Sequence, residues 1–215
     1  MRTFLYTMIE DYQKILEYYG KHLILSDPSS SAFVGWSSKK SQETRWGRLI
    51  LNYPINSCSV LDVGCGIGDF FQYLQGKYLD IDYVGIDINT IMIKKAVRKH
   101  PDATFLNGPL SRLAEYGASD MSNKWDYVFA SGVFTVKVGD NDSHIQQNIE
   151  YLCGLANKHV AFNFLDTFTD DAVRDPDLYY YSRVKLLDYV KDKWDGYLIT
   201  GHENGESDST IHIRV

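Results

Sequence analysis

The sequence predicts an α/β fold: a mostly parallel, doubly wound sheet of seven strands, an antiparallel last strand and an N-terminal helical segment. Three observations predict it. From residue 59 onward, short apolar runs alternate with segments of helical spacing, the mark of a parallel sheet built from strand–helix–strand units. The run Val60-Leu61-Asp62-Val63 passes through a turn bearing Gly64, Gly66 and Gly68 into a helix start at Phe70, Phe71 and Leu74. The chain ends on two β-rich runs joined by Asn204-Gly205-Glu206, a hairpin signal that a purely parallel sheet lacks.

Taken in order, residues 4–20 place Phe4, Leu5, Met8, Ile9, Tyr12, Ile15, Leu16 and Tyr19 near one helical stripe, with Gly20 as its expected end. Ser26-Asp27-Pro28-Ser29-Ser30-Ser31 reads as a turn. Gly35-Trp36 and a polar tract follow, and then a helix from Ser41 to about Leu51 that carries Gln42, Arg45 and Trp46. The strands fall at 59–63, 82–86, 103–106, 126–130 and 159–164, with helices near 68–76, 90–99, 111–116 and 142–157. A helix over 183–193, a strand over 196–202 and a strand over 210–215 complete the chain. Residues 1–52 are expected to form a helical segment covering the active site, and 53–215 the ligand-binding part of one structural domain.

Composition sets the bounds. With 215 residues, 44% apolar and 23% charged, the chain suits one globular domain with a substantial core. A net charge of −6 argues against a nucleic-acid surface, which should be basic. Three cysteines, Cys58, Cys65 and Cys153, have neither metal-ligand spacing nor an even count, which suits a reducing cytoplasm and implies no disulfide framework. No run approaches a membrane span and the start does not read as a signal sequence, so no membrane partner is expected. Sixteen tyrosines and four tryptophans point to a site walled by rings.

The glycine turn is a ligand cradle: without Cβ atoms the backbone approaches a ligand closely, and the helix N–H groups point at it. A dinucleotide fingerprint wants its third glycine at position 69, which holds Asp69. An aspartate there repels a pyrophosphate, so a cationic ligand suits the loop better. The next strand, Tyr83-Val84-Gly85-Ile86-Asp87, ends in an acid 23 residues past Gly64, where ribose hydroxyls are accepted. The alternative for Asp87 is a cap on the helix from Ile91.

Asp62-x-Gly64-x-Gly66-x-Gly68 resembles motif I of the class I S-adenosylmethionine-dependent methyltransferases, which have a Rossmann-like sheet whose seventh strand inserts antiparallel. The whole chain is also similar to small bacterial members of that family in Gly35-Trp36, Gln42-x-x-Arg45-Trp46, Ser131-Gly132-Val133-Phe134 and Ala161-Phe162-Asn163-Phe164-Leu165. The resemblance implies S-adenosylmethionine as cofactor. Asp62, Gly64, Cys65, Gly66 and Gly68 are then expected around its methionyl half, and Asp87 with Ile88 at the ribose. Asn107 or the backbone at Gly108 and Leu110 stands where the adenine contact belongs, although Pro109 replaces the usual acid. Ser131 and Gly132 are expected to touch the cofactor, since ligands sit beyond the carboxyl ends of the strands. Arg45 offers a fork of donors to the methionyl carboxylate or to an acidic substrate.

For the acceptor side the candidates are Trp36, Phe134, Asn163, Tyr179 and Tyr180. Each has a plainer reading: Trp36 as core, Asn163 as a partner for buried backbone, and the Tyr179–Tyr181 rings as packing rather than a lid after the acidic loop. His144 and His202 are the histidines to test as bases. The Asn/Asp-Pro-Pro-Tyr signature of base and glutamine methylation is missing. The expected activity is methyl transfer to an oxygen or nitrogen of a small molecule. The competing readings are intramolecular displacement that releases methylthioadenosine, and cofactor binding without catalysis. A nicotinamide dehydrogenase is disfavoured by Asp69.

Overall fold

The computed structural model describes residues 2–25, 38–116, 124–171, 174–201 and 208–215. The Ser26–Ser31 turn, Gly35, Trp36, His202 and the Asn204-Gly205-Glu206 turn lie outside the described residues. Two helices, α1 (Arg2–Leu25) and α2 (Lys39–Leu49), precede the alternating part. That part runs β1 (Ser59–Val63), α3 (Asp69–Gln75), β2 (Asp82–Asp87), α4 (Thr90–Lys99), β3 (Thr104–Asn107), a 3-10 helix (Leu110–Tyr116), β4 (Trp125–Ala130), α5 (Asn141–Leu155) and β5 (Ala156–Leu165). It closes with α6 (Arg183–Lys191), β6 (Asp195–Thr200) and β7 (Asp208–Arg214).

The seven strands form one sheet in the order β3-β2-β1-β4-β5-β7-β6. The pairs from β3 to β5 are parallel, and β7 enters antiparallel between β5 and β6. Strand order switches direction between the parallel neighbours β1 and β4, and the crevice beyond their carboxyl ends is where such sheets bind ligands. Both faces are buried, with the period of two that strands impose. Val60, Tyr127 and Phe129 pack under α2 and α3 with Trp46, Phe70 and Leu74. Leu61, Val63, Val128 and Ala130 face the other way, onto Ile145, Ile149 and Leu152 of α5.

Two local expectations are corrected. Gly20 does not end α1, which continues to Leu25. A mid-helix glycine costs about 0.5–1 kcal/mol relative to alanine, and packing offsets it here: Tyr19 and Leu23, on either side of Gly20, lie against Ile67 and Met92. The helix expected near 111–116 is present as the 3-10 helix Leu110–Tyr116. Asn89, not Asp87, caps α4, its Oδ1 accepting the N–H groups of Ile91 (3.0 Å) and Met92 (3.2 Å). That leaves the carboxylate of Asp87 for other partners.

Candidate active site

At the switch between β1 and β4 lies a cavity of about 300 Å³, at the small end of the range for ligand pockets. Its floor is the β1–α3 turn. Gly64, Gly66 and Gly68 all hold positive φ (73°, 55° and 80°), the region that side-chain-bearing residues avoid. The need is sharpest at Gly64, where a Cβ would stand 2.6 Å from Cγ2 of Val133. The N–H groups of Gly64 and Cys65 both donate to the carbonyl of Ile86 (2.8 and 3.1 Å), locking the turn against β2.

Asp87, at the end of β2, accepts the Gly66 N–H on Oδ2 (2.9 Å) and the Asn89 N–H on Oδ1 (2.7 Å). Each carboxylate oxygen has a second lone pair, so both keep capacity for another donor. Burial raises the Asp87 carboxyl above the usual carboxylate range, and the two N–H groups partly offset that. Beneath it Asp62, 2% exposed, accepts the Tyr83 hydroxyl at 2.6 Å. Burial pushes Asp62 up to about 7; the Tyr83 bond works against the shift and the charge of Asp87 adds to it. Two carboxylates under a glycine turn make a floor that favours a cation. Asp69, at the start of α3, also lines the cavity and is paired with Lys99, which balances part of the charge that argues against a pyrophosphate.

The β4 side is built by an amide. Asn163 of β5, fully enclosed, accepts the Gly132 N–H at 2.7 Å and donates to Oγ of Ser131 at 3.2 Å. Its polar role is thus the satisfaction of backbone, and it lines the cavity while doing so. Over the top lies α1, contributing Tyr12, Ile15, Leu16, Tyr18 and Tyr19. The Tyr19 hydroxyl donates to the Gly132 carbonyl at 2.9 Å, and Asp11 accepts the Gly139 N–H at 3.0 Å. These two bonds pin the helix across the β4–α5 connection.

Of the expected cofactor residues, Arg45, Asp62, Gly64, Cys65, Gly66, Asp87, Ile88, Gly108, Ser131 and Gly132 all line the cavity. Arg45 does so with its Nε 2.9 Å from Asp208, so in this structure its carboxylate partner is the chain's own. Gly68 is set back: it starts α3, and a Cβ there would meet His100 and Phe105 at 2.8 and 2.9 Å. Asn107 is a correction. Its Nδ2 donates to the Asp87 carbonyl (3.0 Å) and its Oδ1 accepts the Thr90 hydroxyl (2.8 Å), so it fastens β3 to the β2–α4 turn and is absent from the lining.

On the acceptor side Phe134, Tyr179 and Tyr180 are also corrections. Phe134 is 2% exposed and stands edge-on to Phe162 in the core. Tyr179 donates to Asp142 at 3.3 Å and packs on Tyr181, while Tyr180 accepts the Asp175 N–H at 3.1 Å with Arg174 over its ring. From that segment only Leu178 reaches the cavity. The rings that do wall it come from α1, whose stripe the sequence shows but whose docking over the sheet it does not. Asn89, Thr135, Asn148 and Asp208 join the lining without a motif to mark them, Gln42 joins it from the Gln42-x-x-Arg45-Trp46 motif, and His144 joins it too.

A sulfonium nucleoside fits this arrangement on three counts visible in the residues present: a turn with no room for a Cβ, acids in place of bases beneath it, and a carboxylate at the end of β2 with acceptor capacity to spare for a diol. Asp87 would hold the ribose, and the β1–α3 turn with Asp62 the cationic half.

Residues 61–153, from β1 into α5, match the family model described as a methyltransferase domain. A Mycobacterium tuberculosis protein provisionally named a methyltransferase is 28% identical over 163 residues, 73% of this chain and 92% of that protein. Among solved structures, a Pyrococcus horikoshii protein superimposes with a TM-score of 0.67 at 17% identity, covering 92% of this chain and 98% of that one. The magnesium protoporphyrin IX methyltransferase of Synechocystis PCC 6803, crystallised with S-adenosylmethionine bound, does so at 0.63 and 15%, covering 97% and 95%. The two structural likenesses are of fold; the methyltransferase-domain match over residues 61–153 and the cradle described above support a class I S-adenosylmethionine-dependent methyltransferase with S-adenosylmethionine as cofactor.

Proposed function

We propose that the protein transfers the methyl group to an oxygen or nitrogen atom of a small-molecule acceptor, in the cytoplasm. The observation that carries this reading is α1. Its tyrosines and aliphatic side chains line one side of a cavity of about 300 Å³ that cofactor and acceptor would share, a size that suits a small acceptor. The net charge of −6 favours the same conclusion, since a nucleic acid is drawn to basic surfaces. Three unpaired cysteines suit a reducing compartment. Among the described residues, no helix is long and apolar enough to cross a membrane.

When bound, the cofactor supplies an electrophilic methyl on a sulfonium. The chain's own residues then have three tasks. The glycine turn and Asp87 fix the cofactor. Ser131, Gly132 and Asn163, held by their mutual hydrogen bonds, form the wall beside which the acceptor is aligned. The α1 side chains cover the acceptor from one side. Alignment of this kind contributes up to ~7–11 kcal/mol in the best intramolecular cases.

The test is product analysis of the full chain with methyl-labelled S-adenosylmethionine and a panel of small hydroxyl, amine and carboxylate compounds. S-adenosylhomocysteine together with a labelled O- or N-methyl product is the expected result. Methylthioadenosine appearing without an acceptor overturns the reading in favour of displacement. Tight cofactor binding with no turnover across the panel overturns it in favour of a non-catalytic binder.

A further inference from the structure

Among the described histidines, His144 is the one that lines the cavity. It sits in the first turn of α5, its backbone N–H donating to the Asp140 carbonyl at 2.9 Å. Asn148, one turn on, lines the same wall and donates to the His144 carbonyl at 2.7 Å. From α1 comes Asp11, only 5% exposed. Oδ1 of Asp11 accepts the Gly139 N–H at 3.0 Å, which fixes the carboxylate, and Oδ2 lies 3.8 Å from Nδ1 of His144. That is an ion-pair separation; such contacts are often long without substrate and tighten in the complex. That pairing engages Nδ1 and not Nε2, on a side chain that lines the cavity.

We propose that His144 is the general base of the methyl transfer and that Asp11 is its positioning residue. The proposal rests on the O- or N-methylation reading and deepens it. With Nδ1 protonated toward Asp11, Nε2 carries the lone pair. As the lone pair of the acceptor atom forms its bond to the methyl carbon, the carbon–sulfur pair stays on sulfur as a neutral thioether. The acceptor's proton passes to Nε2, and the imidazolium returns it to water after product leaves. A base has this use only if the acceptor has a proton to lose, so the acceptor class is a hydroxyl or an amine and not a carboxylate, which is already an anion at neutral pH. Burial holds His144 below its ordinary value of 6.5, with Asp11 pulling the other way. The ionisable group that faces it is Asp11 of α1; Asp140 caps its own helix, Asp142 lies in that helix's first turn with Tyr179 bonded to it, and Tyr12 of α1 lines the same cavity.

The decisive measurement is the imidazole ¹⁵N spectrum of the full chain at pH 7, with S-adenosylmethionine as the only addition. His144 is expected as the Nδ1–H tautomer. In Asp11→Asn, Oδ1 still accepts the Gly139 N–H, so the fold is kept, but an amide NH₂ now faces Nδ1 and the proton moves to Nε2. A wild-type Nε2–H form, a wild-type imidazolium, or no change in Asp11→Asn overturns the proposal. In turnover with whichever hydroxyl or amine reacts, His144→Gln is expected to lose about 10²–10⁴-fold in kcat, the usual reach of a general base. It should also lose the acid limb of the pH profile below 6.5, with cofactor affinity by calorimetry unchanged; full activity, or a lost affinity, overturns it. The spectrum needs no acceptor, so its failure is separable from failure of the methylation reading.

Discussion

Replacing Asp87 by alanine separates the two jobs its carboxylate does. In the free protein it accepts two backbone N–H groups, from Gly66 at 2.9 Å and Asn89 at 2.7 Å. With cofactor bound, the remaining lone pairs would accept the ribose hydroxyls. Hydrogen bonds to a charged acceptor are worth about 1.5–3 kcal/mol each. Losing two therefore costs ~3–6 kcal/mol, or roughly 10²–10⁴ in Kd. Stability responds differently. Leaving two half-buried N–H groups without an acceptor costs about 1 kcal/mol each, the low end of that penalty because water reaches the cavity. Against this, the variant no longer buries a carboxylate whose raised pKa shows that its charge is held at a penalty. The net change in unfolding free energy is expected to stay within about 2 kcal/mol. Titration calorimetry with S-adenosylhomocysteine and urea unfolding of the same preparation measure both. A folded Asp87→Ala protein that binds within about threefold of wild type would refute the placement of the ribose on this residue.

Three further outcomes follow from the same geometry. Asp62 is pushed up to about 7, so it is part-protonated in the free protein near neutrality; a cation above it favours the ionised form, and binding therefore releases protons. Affinity for S-adenosylmethionine should rise about tenfold between pH 6 and 8, calorimetry in buffers of different ionisation enthalpy should show the release, and Asp62→Asn should abolish both. Burial holds His212, 2.7 Å from the Tyr53 hydroxyl, down to about 4. The unfolded chain takes up that proton more readily, so this contribution is complete above 6.5 and is lost as pH falls toward 4. Relative to His212→Gln, wild type should lose about 3 kcal/mol over that range, and the comparison cancels Asp62, whose raised value acts in the opposite direction. Gly64→Ala places a residue at φ 73° with its Cβ 2.6 Å from Val133. About 1–2 kcal/mol of backbone strain is expected, read as a lower Tm and weaker cofactor binding, and adding Val133→Ala should recover only the packing part.

The sheet was legible because each strand repeats one physical pattern. Val60 and Leu61 point to opposite faces and both faces are buried, so the strands are short and apolar throughout. The cradle was legible for a related reason: glycines at positive φ followed by an acid at the next strand's end have few other uses. What the sequence hid is which side of an element meets the cavity. Asn107 and Phe134 sit near the ends of strands beside the site, yet one ties down a turn and the other enters the core. The roof was hidden too. The apolar stripe of α1 is visible in the sequence, but that it crosses the β4–α5 connection depends on the Tyr19–Gly132 and Asp11–Gly139 bonds, each linking residues more than a hundred positions apart. Gly20 misled for the opposite reason, since local preference gave way to the packing of Tyr19 and Leu23 on Ile67 and Met92.

Crystals of the full chain soaked with S-adenosylhomocysteine test the seating of the nucleoside most directly. The expected map has both ribose hydroxyls within hydrogen-bond distance of the Asp87 carboxylate, the sulfur above the Gly64–Gly66 turn, and the open side of the chamber between Gly132 and His144. Density in which Asp87 touches no ribose, or a crevice that takes up a nicotinamide nucleotide and leaves the sulfur nucleoside in solution, would contradict it.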